Sequence, residues 1–373
     1  YSVKDDCRHP ILQSDYFAAP FGHESGFAPD GNTFWIGGAQ GIFAVDVSNP
    51  KDPYTVRAIN IPSHGINLSA DGNTLYETNP IDGGIALLDV SGVQARDASK
   101  PVTEISRLSW ETTSIPQNSN PVTIDGKPYL LEFDEFAFRF NPFTDADLAG
   151  AARLIDISDP SHPTVTSNLR LQVNMPENHK VAAGDPTFVP GAQTTYGAHY
   201  CNVPRAVNPE IVACSFINSG LRIFDIRDPV HPREVAYYIS PPQPAVGGGK
   251  SDAAFSQPAF DPARREVYYT DAASGFWNVR LTKAVWPHPL TTHAKRCRKR
   301  IAVRVRKPRR GHILKVKATV RGHRVHVRRK ARRRYVVTVP RARRHQRSVR
   351  IRTVVRTNRG KRIVRARAYR VCR

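Results

Sequence analysis

Gly220-Leu221-Arg222-Ile223-Phe224-Asp225-Ile226-Arg227-Asp228-Pro229, closed by His231-Pro232, decides how this chain is read, because the chain contains it several times over. Gly41-Ile42-Phe43-Ala44-Val45-Asp46-Val47-Ser48-Asn49-Pro50 runs into Asp52-Pro53. Gly84-Ile85-Ala86-Leu87-Leu88-Asp89-Val90-Ser91 repeats the opening, and Ala152-Arg153-Leu154-Ile155-Asp156-Ile157-Ser158-Asp159-Pro160 ends on His162-Pro163. A worn copy, Gly275-Phe276-Trp277-Asn278-Val279-Arg280-Leu281, closes the series. The opening Tyr1-Ser2-Val3-Lys4-Asp5, with His9-Pro10, matches the second half of a unit. Self-similarity over several tens of residues marks a repeat architecture.

The residue types give each copy a physical meaning. The aliphatic and β-branched run fills a strand buried on both faces. The Asp that follows accepts hydrogen bonds from turn amides, and the prolines fix φ before the chain returns as an outer strand. Upstream of the first two copies, Asp30-Gly31 and Asp71-Gly72 sit between apolar runs (Phe27 to Trp35, Ile66 to Tyr76), a strong hairpin signal. Two hairpin strands, a buried strand and an outer strand make a four-stranded unit, and radial repetition of such units is a β-propeller. A β-sandwich array is the alternative, but the spacing of Asp46, Asp89, Asp156 and Asp225 is that of blades carrying insertions. The expected fold class is all-β, a propeller over 1–286 followed by a small β-sandwich.

With these motifs the chain resembles the LVIVD-repeat proteins, bacterial β-propellers of largely unassigned function. The resemblance covers roughly residues 1–285. It implies a propeller, extracytoplasmic placement and a ring of seven blades in full. Five blades and the edge of another are recognisable, so one or two are expected before Tyr1. The first residue is not Met and no leader precedes it, so either a leader was removed or the sequence is a fragment. The resemblance hands over no catalytic residue.

Charge divides the chain sharply. From Lys295 to Arg373 there are 27 Arg and 7 Lys and no acidic residue. Of the chain's 55 basic residues 34 lie there, so the first 294 residues hold 21 against 32 acidic and are mildly acidic. Pro287 to Arg296 reads as a linker. Beyond it Ile301, Val303 and Val305 alternate with Arg304 and Arg306, and similar alternation continues to Val371, the period of half-buried strands. The segment 297–373 is therefore expected to be an Ig-like β-sandwich, similar to the basic C-terminal domains of secreted actinobacterial proteins. Its Arg side chains suit anionic cell-envelope polymers or a membrane surface. Nucleic acid is the less favoured partner, because the tail has two Tyr and neither Phe nor Trp for base stacking. Solvent-filling Arg with no partner is the bland alternative.

Five Cys are present. Cys297 and Cys372 bracket the basic tail, and Cys201 and Cys214 flank the turn region of one hairpin. Two such pairs suggest two disulfides and an oxidising compartment, so a secreted or cell-surface protein is expected. Cys7 is left over.

One constellation can carry chemistry. His23 lies seven residues before Asp30 and His64 seven before Asp71, an offset that puts both at the start of the innermost strand of adjacent blades. The same rule places Asn118, His199 and Ser256 on that ring. Converging imidazoles form a ligand set for Zn, Cu or Fe, with Glu24 as a fourth ligand or an orienting group. Glu132, Asp134 and Glu135 add carboxylates nearby. Glu132 and Glu135 fall on opposite faces of one regular strand, which argues against a glycosidase pair. Histidines that merely lock neighbouring blades through carbonyls are the structural alternative, and His9, His162 and His231 belong to the turns. No nucleophile elbow, phosphate loop or dinucleotide fingerprint is present. Two readings follow. One is an exported, non-catalytic propeller with a protein or small-ligand site, held to the envelope by its basic tail. The other is a metal-dependent propeller enzyme, an oxidoreductase or hydrolase, using His23, His64 and His199.

Overall fold

The computed structural model describes residues 1–19, 21–79, 81, 83–110, 115–135, 150–189, 196–246, 248–287, 300–304, 311–320, 322–331, 334–338 and 348–370. The chain divides into two compact units, Tyr1–Pro289 and Leu290–Arg373. The residues expected to form the linker, apart from Pro287, and both Cys297 and Cys372 lie outside the described residues.

The first unit is a succession of antiparallel four-stranded meanders. The first contains β1 (Gly22–Phe27), β2 (Thr33–Gly38), β3 (Gly41–Asp46) and β4 (Tyr54–Ile59). The second contains β5 (Gly65–Leu68), β6 (Thr74–Asn79), β7 (Gly84–Asp89) and β8 (Thr103–Ser109). The third contains β9 (Ile115–Ile124), β10 (Lys127–Glu135), β11 (Ala152–Asp156) and β12 (Thr164–Leu169). The fourth contains β13 (Tyr200–Asn202), β14 (Ile211–Ser215), β15 (Leu221–Asp225) and β16 (Arg233–Tyr238). After a small ribbon, β17 (Gln243–Pro244) with β18 (Lys250–Ser251), a fifth blade has three strands: β19 (Ala259–Asp261), β20 (Glu266–Thr270) and β21 (Phe276–Arg280). The architecture is a β-propeller, with the repeated motif as the third strand of each four-stranded blade.

The unbroken apolar runs are explained by burial on both sides. On β7, Ala86 and Leu88 pack with Trp35, Ile42 and Ala44 of the first blade. Ile85 and Leu87, on the other face, pack with Leu130 and Ile155 of the third. Leu154 of the third blade meets Val212 and Phe224 of the fourth, and Ile223 of the fourth meets Val267 of the fifth. Each Leu, Ile, Val or Phe among them contributes about 1.5–3 kcal/mol on burial.

The recurrent punctuation of the motif has direct causes. Asp46, Asp89, Asp156 and Asp225 end the third strands, and each accepts the backbone N–H two residues on, at 2.9, 2.8, 2.7 and 3.1 Å. A register shift falls two residues before each of these Asp, between Ala44/Val45, Leu87/Leu88, Leu154/Ile155 and Ile223/Phe224. These recurrent bulges bend the outer strand at the same place in each of the four four-stranded blades. The leading glycine is required at Gly220, where φ is +72° and a Cβ would stand 2.4 Å from the carbonyl oxygen of Tyr238.

Residues 1–19 carry the same punctuation. His9 Nδ1 lies 3.0 Å from Asp6, as His162 does from Asp159 (3.0 Å) and His231 from Asp228 (3.2 Å). Ser14 donates to the Pro50 carbonyl (2.8 Å), as Ser106 and Ser167 of the outer strands β8 and β12 donate to Pro160 and Pro229 (2.7 Å each). The turn histidines are structural, as their place in the motif suggests.

Cys201 and Cys214 face each other across β13 and β14, fully buried, and are joined by a disulfide, with Cα atoms 4.1 Å apart. Cys7 is free and exposed. Among the described residues no helix is long and apolar enough to cross a membrane.

The second unit has two antiparallel sheets. One is formed by β22 (Arg300–Arg304), β26 (Arg334–Thr338) and β25 (Val327–Ala331). The other is formed by β24 (His323–Val325), β23 (Ile313–Val320), β27 (Ser348–Thr357) and β28 (Arg362–Arg370). Val303 and Val337 of the first sheet and Ala318, Val320, Val349 and Ile351 of the second share one buried core, which makes a small β-sandwich.

Candidate functional site

The hub is built where the first strands of the blades begin. His23 is on β1, while His64 and His199 immediately precede β5 and β13. Each imidazole is fixed in the same way, with Nδ1 bonded to the entry carbonyl of the next blade. The partners are His64 for His23 (3.2 Å), Pro116 for His64 (2.7 Å) and Phe255 for His199 (2.7 Å). A carbonyl can only accept, so these bonds place a proton on Nδ1 and turn Nε2 toward the hub, where on His64 and His199 it donates a proton to Glu135 and could ligate a metal only in place of that proton. The blade-locking role and the ligand role are thus two ends of one ring.

His23 and His64 are brought together, with ring centroids 4.3 Å apart. Glu135, at the end of β10, completes the group. Ligand atoms of His23, His64 and Glu135 all lie within 4.8 Å of one another. Glu135 Oε2 is 2.8 Å from His64 Nε2, and Oε1 is 3.4 Å from His199 Nε2. Burial pushes the Glu135 carboxyl up, but the bonds and charges of His199 and His64 outweigh it and hold it at about 2. His199 therefore reaches the centre through the second oxygen of Glu135.

Glu24 is engaged elsewhere. Its carboxylate accepts from Gln117 (3.2 Å), Asn118 (3.2 Å) and the Tyr200 hydroxyl. Gln117 also donates to the Tyr200 oxygen at 2.6 Å. Burial, then the Glu24 carboxylate, pushes the Tyr200 phenol well above its ordinary range, with a smaller contribution from Glu135. Glu24 and Asn118 thus form a second polar cluster beside the imidazoles. Ser256, expected on the ring, turns its hydroxyl to the Thr270 N–H of its own blade (2.7 Å).

A buried ion group delivers Glu135. Arg153, 1 % exposed, donates to Glu132 and to both oxygens of Asp134 (2.9 and 2.7 Å), and its guanidinium lies 4.1 Å from the Trp110 ring centroid. Burial pushes Glu132 well above the usual carboxylate range, against the pull of Arg153. Glu132 and Asp134 face Arg153 while Glu135 faces the hub, so Glu132 and Glu135 are not a catalytic pair.

Sequence reasoning found His23, His64, His199 and the Glu135 carboxylate, but not Gln117 or Tyr200. Gln117 is extra in the register, since Phe133 pairs with Asn118 and Asp134 with Pro116. An irregularity of that kind leaves no periodic signal. Tyr200 had one available signal, its place directly after the ring position of His199.

Comparison with known proteins agrees on the repeat. Residues 147–170 match the LVIVD repeat. No curated protein sequence matches the chain. Among solved structures it is similar to the periplasmic gluconolactonase of Pseudomonas aeruginosa (12 % identity, TM-score 0.45, 71 % of this chain and 74 % of that one). It is also similar to a putative 6-phosphogluconolactonase of Bacteroides fragilis (10 %, 0.48, 96 % and 87 %). A third likeness is a putative 6-phosphogluconolactonase of Bacteroides uniformis (10 %, 0.41, 70 %), of which this chain spans 58 %. At these identities and scores the likenesses carry no argument about activity.

Proposed function

We propose that the chain is an extracytoplasmic propeller whose hub holds a divalent first-row metal, zinc or a close relative, on His23, His64 and Glu135. One observation carries this reading: two imidazoles and a carboxylate offer ligand atoms within 4.8 Å of one another. The Nδ1 bonds of His23 and His64 to carbonyls are the orienting contacts that metal-bound histidines usually have. Two His and one carboxylate leave a tetrahedral metal one open position, the arrangement of a Lewis-acid centre for hydrolytic chemistry. His199 would steady Glu135 or enter as the fourth ligand. The buried Cys201–Cys214 bridge supports an oxidising compartment.

The test is metal analysis of the chain purified without an affinity tag and loaded with Zn, Cu or Fe. About one metal per chain is expected, falling below a tenth in His64→Ala while the variant keeps its fold by circular dichroism. A wild-type chain that takes up no metal from any of the three would refute the centre.

A second reading, attachment of an Ig-like C-terminal module to an anionic envelope polymer or membrane surface, is favoured by the acid-free composition of 295–373. It is compatible with either a catalytic hub or a non-catalytic one that presents a ligand site.

A further inference from the structure

The sheet β24-β23-β27-β28 has one face on the core and one in solvent. On β27, Val349, Ile351 and Val355 are buried, while Arg350, Arg352 and Arg356 between them are exposed. The register carries this pattern across the sheet. Lys315 of β23 pairs with Arg356, and Arg356 pairs with Arg362 of β28, so three cations form one row. Four residues further along, Thr319 stands between Arg324 of β24 and Arg352. Lys317 lies between these rows and is held below the ordinary lysine range by Arg324, Lys315 and Arg356, in that company of like charges.

The spacing is regular. Neighbouring strands are about 4.8 Å apart, and residues two apart on one strand about 6.8 Å. Like charges directly opposite on a sheet are destabilising. No Asp or Glu occurs anywhere in 295–373 to relieve them. Folding requires only polar side chains on this face, so the repulsion is a cost without return unless an external anion removes it.

We propose, resting on the envelope-attachment reading given above, that the outward face of β23, β27 and β28 is a binding platform for a linear phosphodiester polymer of the cell-envelope type, gripped through its backbone charges. Arg forks onto phosphate oxygens at two points, which suits a repeating phosphate chain. Three features select this occupant over other polyanions. A flat sheet face offers no helix or ribbon to enter a duplex groove. The unit has neither Phe nor Trp, Tyr335 is buried in its core, and Tyr369 of β28 pairs with the buried Val349 and not with a residue of the cationic rows, so bases find no stacking platform on this face. The apolar residues within the rows, Val354 and Val364, are too short to insert among lipid tails.

The experiment uses the full chain and two double variants of equal net charge, Arg352→Gln/Arg356→Gln on the face and Arg328→Gln/Arg329→Gln on β25 of the other sheet. Binding is measured to synthetic poly(glycerol phosphate), to oligothymidylate with the same number of phosphates, and to phosphatidylglycerol vesicles, over a salt titration. Each contacted phosphate contributes about 0.7 to the log–log salt slope. Loss of two contacts should therefore lower affinity for poly(glycerol phosphate) about 25-fold at 0.1 M salt and reduce the slope by about 1.4. The β25 variant should change affinity less than about 3-fold. Equal losses in the two variants would reduce the effect to unspecific charge and overturn the platform. Tighter binding of oligothymidylate or of vesicles than of poly(glycerol phosphate) would overturn the choice of occupant. The outcome is independent of the hub, since neither variant touches it.

Discussion

Arg153→Met tests how the hub carboxylate is held. In the folded chain Arg153, Glu132 and Asp134 are all within 1 % of complete burial, and the guanidinium spans both carboxylates. Methionine fills much of the same volume against Trp110, so the packing loss is small and the electrostatic loss dominates. Removing one partner of a buried ion group leaves uncompensated charge and typically costs about 3–5 kcal/mol. The cost must also depend on pH. Burial already holds the Glu132 carboxyl well above the usual carboxylate range against the pull of Arg153, and without Arg153 that pull is gone. A raised pKa gives stability that is complete below the unfolded pKa and is lost as pH rises through the folded one. Urea denaturation of the variant should therefore show its loss growing from pH 5 to pH 8. Because Glu135 directly follows Asp134 on β10, metal uptake should weaken as well. A variant within about 1 kcal/mol of wild type at pH 8 would refute the reasoning, and would mean that the carboxylates are satisfied by other partners.

Glu135→Gln should remove stability selectively. The Glu135 carboxyl is held at about 2, below its unfolded value near 4.5, so its contribution is present above pH 4.5 and lost as pH falls toward 2. The difference corresponds to at most about 3 kcal/mol, and urea midpoints at pH 7 and pH 3 should converge between variant and wild type at the lower pH. Replacing Cys201 and Cys214 by Ala should cost about 3 kcal/mol under oxidising conditions, as expected for closing a loop of this length, and nothing further should be lost when a reductant is added. Thermal melts with and without reductant would show both effects.

The repeat determined the blades from sequence alone. Aliphatic runs such as Ile85 to Leu88 admit only burial on both faces, and Asp-Gly hairpins and Asp-terminated strands punctuate them by local chemistry. Local rules of that kind act through neighbours in the chain, so they are readable without coordinates. The same rules placed His23, His64 and His199 at the hub, because equal offsets in equal units meet at one axis. Tertiary structure decided what those histidines touch. Glu135 reaches them because Arg153, from the next strand, occupies Glu132 and Asp134 on the opposite face. Glu24 is drawn to Tyr200 and Gln117, residues more than ninety positions away, one of them set by a register irregularity in β9. In the basic unit the alternation announced strands, but only pairing in register placed Lys315, Arg356 and Arg362 in one row. Partners of this kind depend on long-range register and competition for hydrogen bonds, which no periodicity in the chain records.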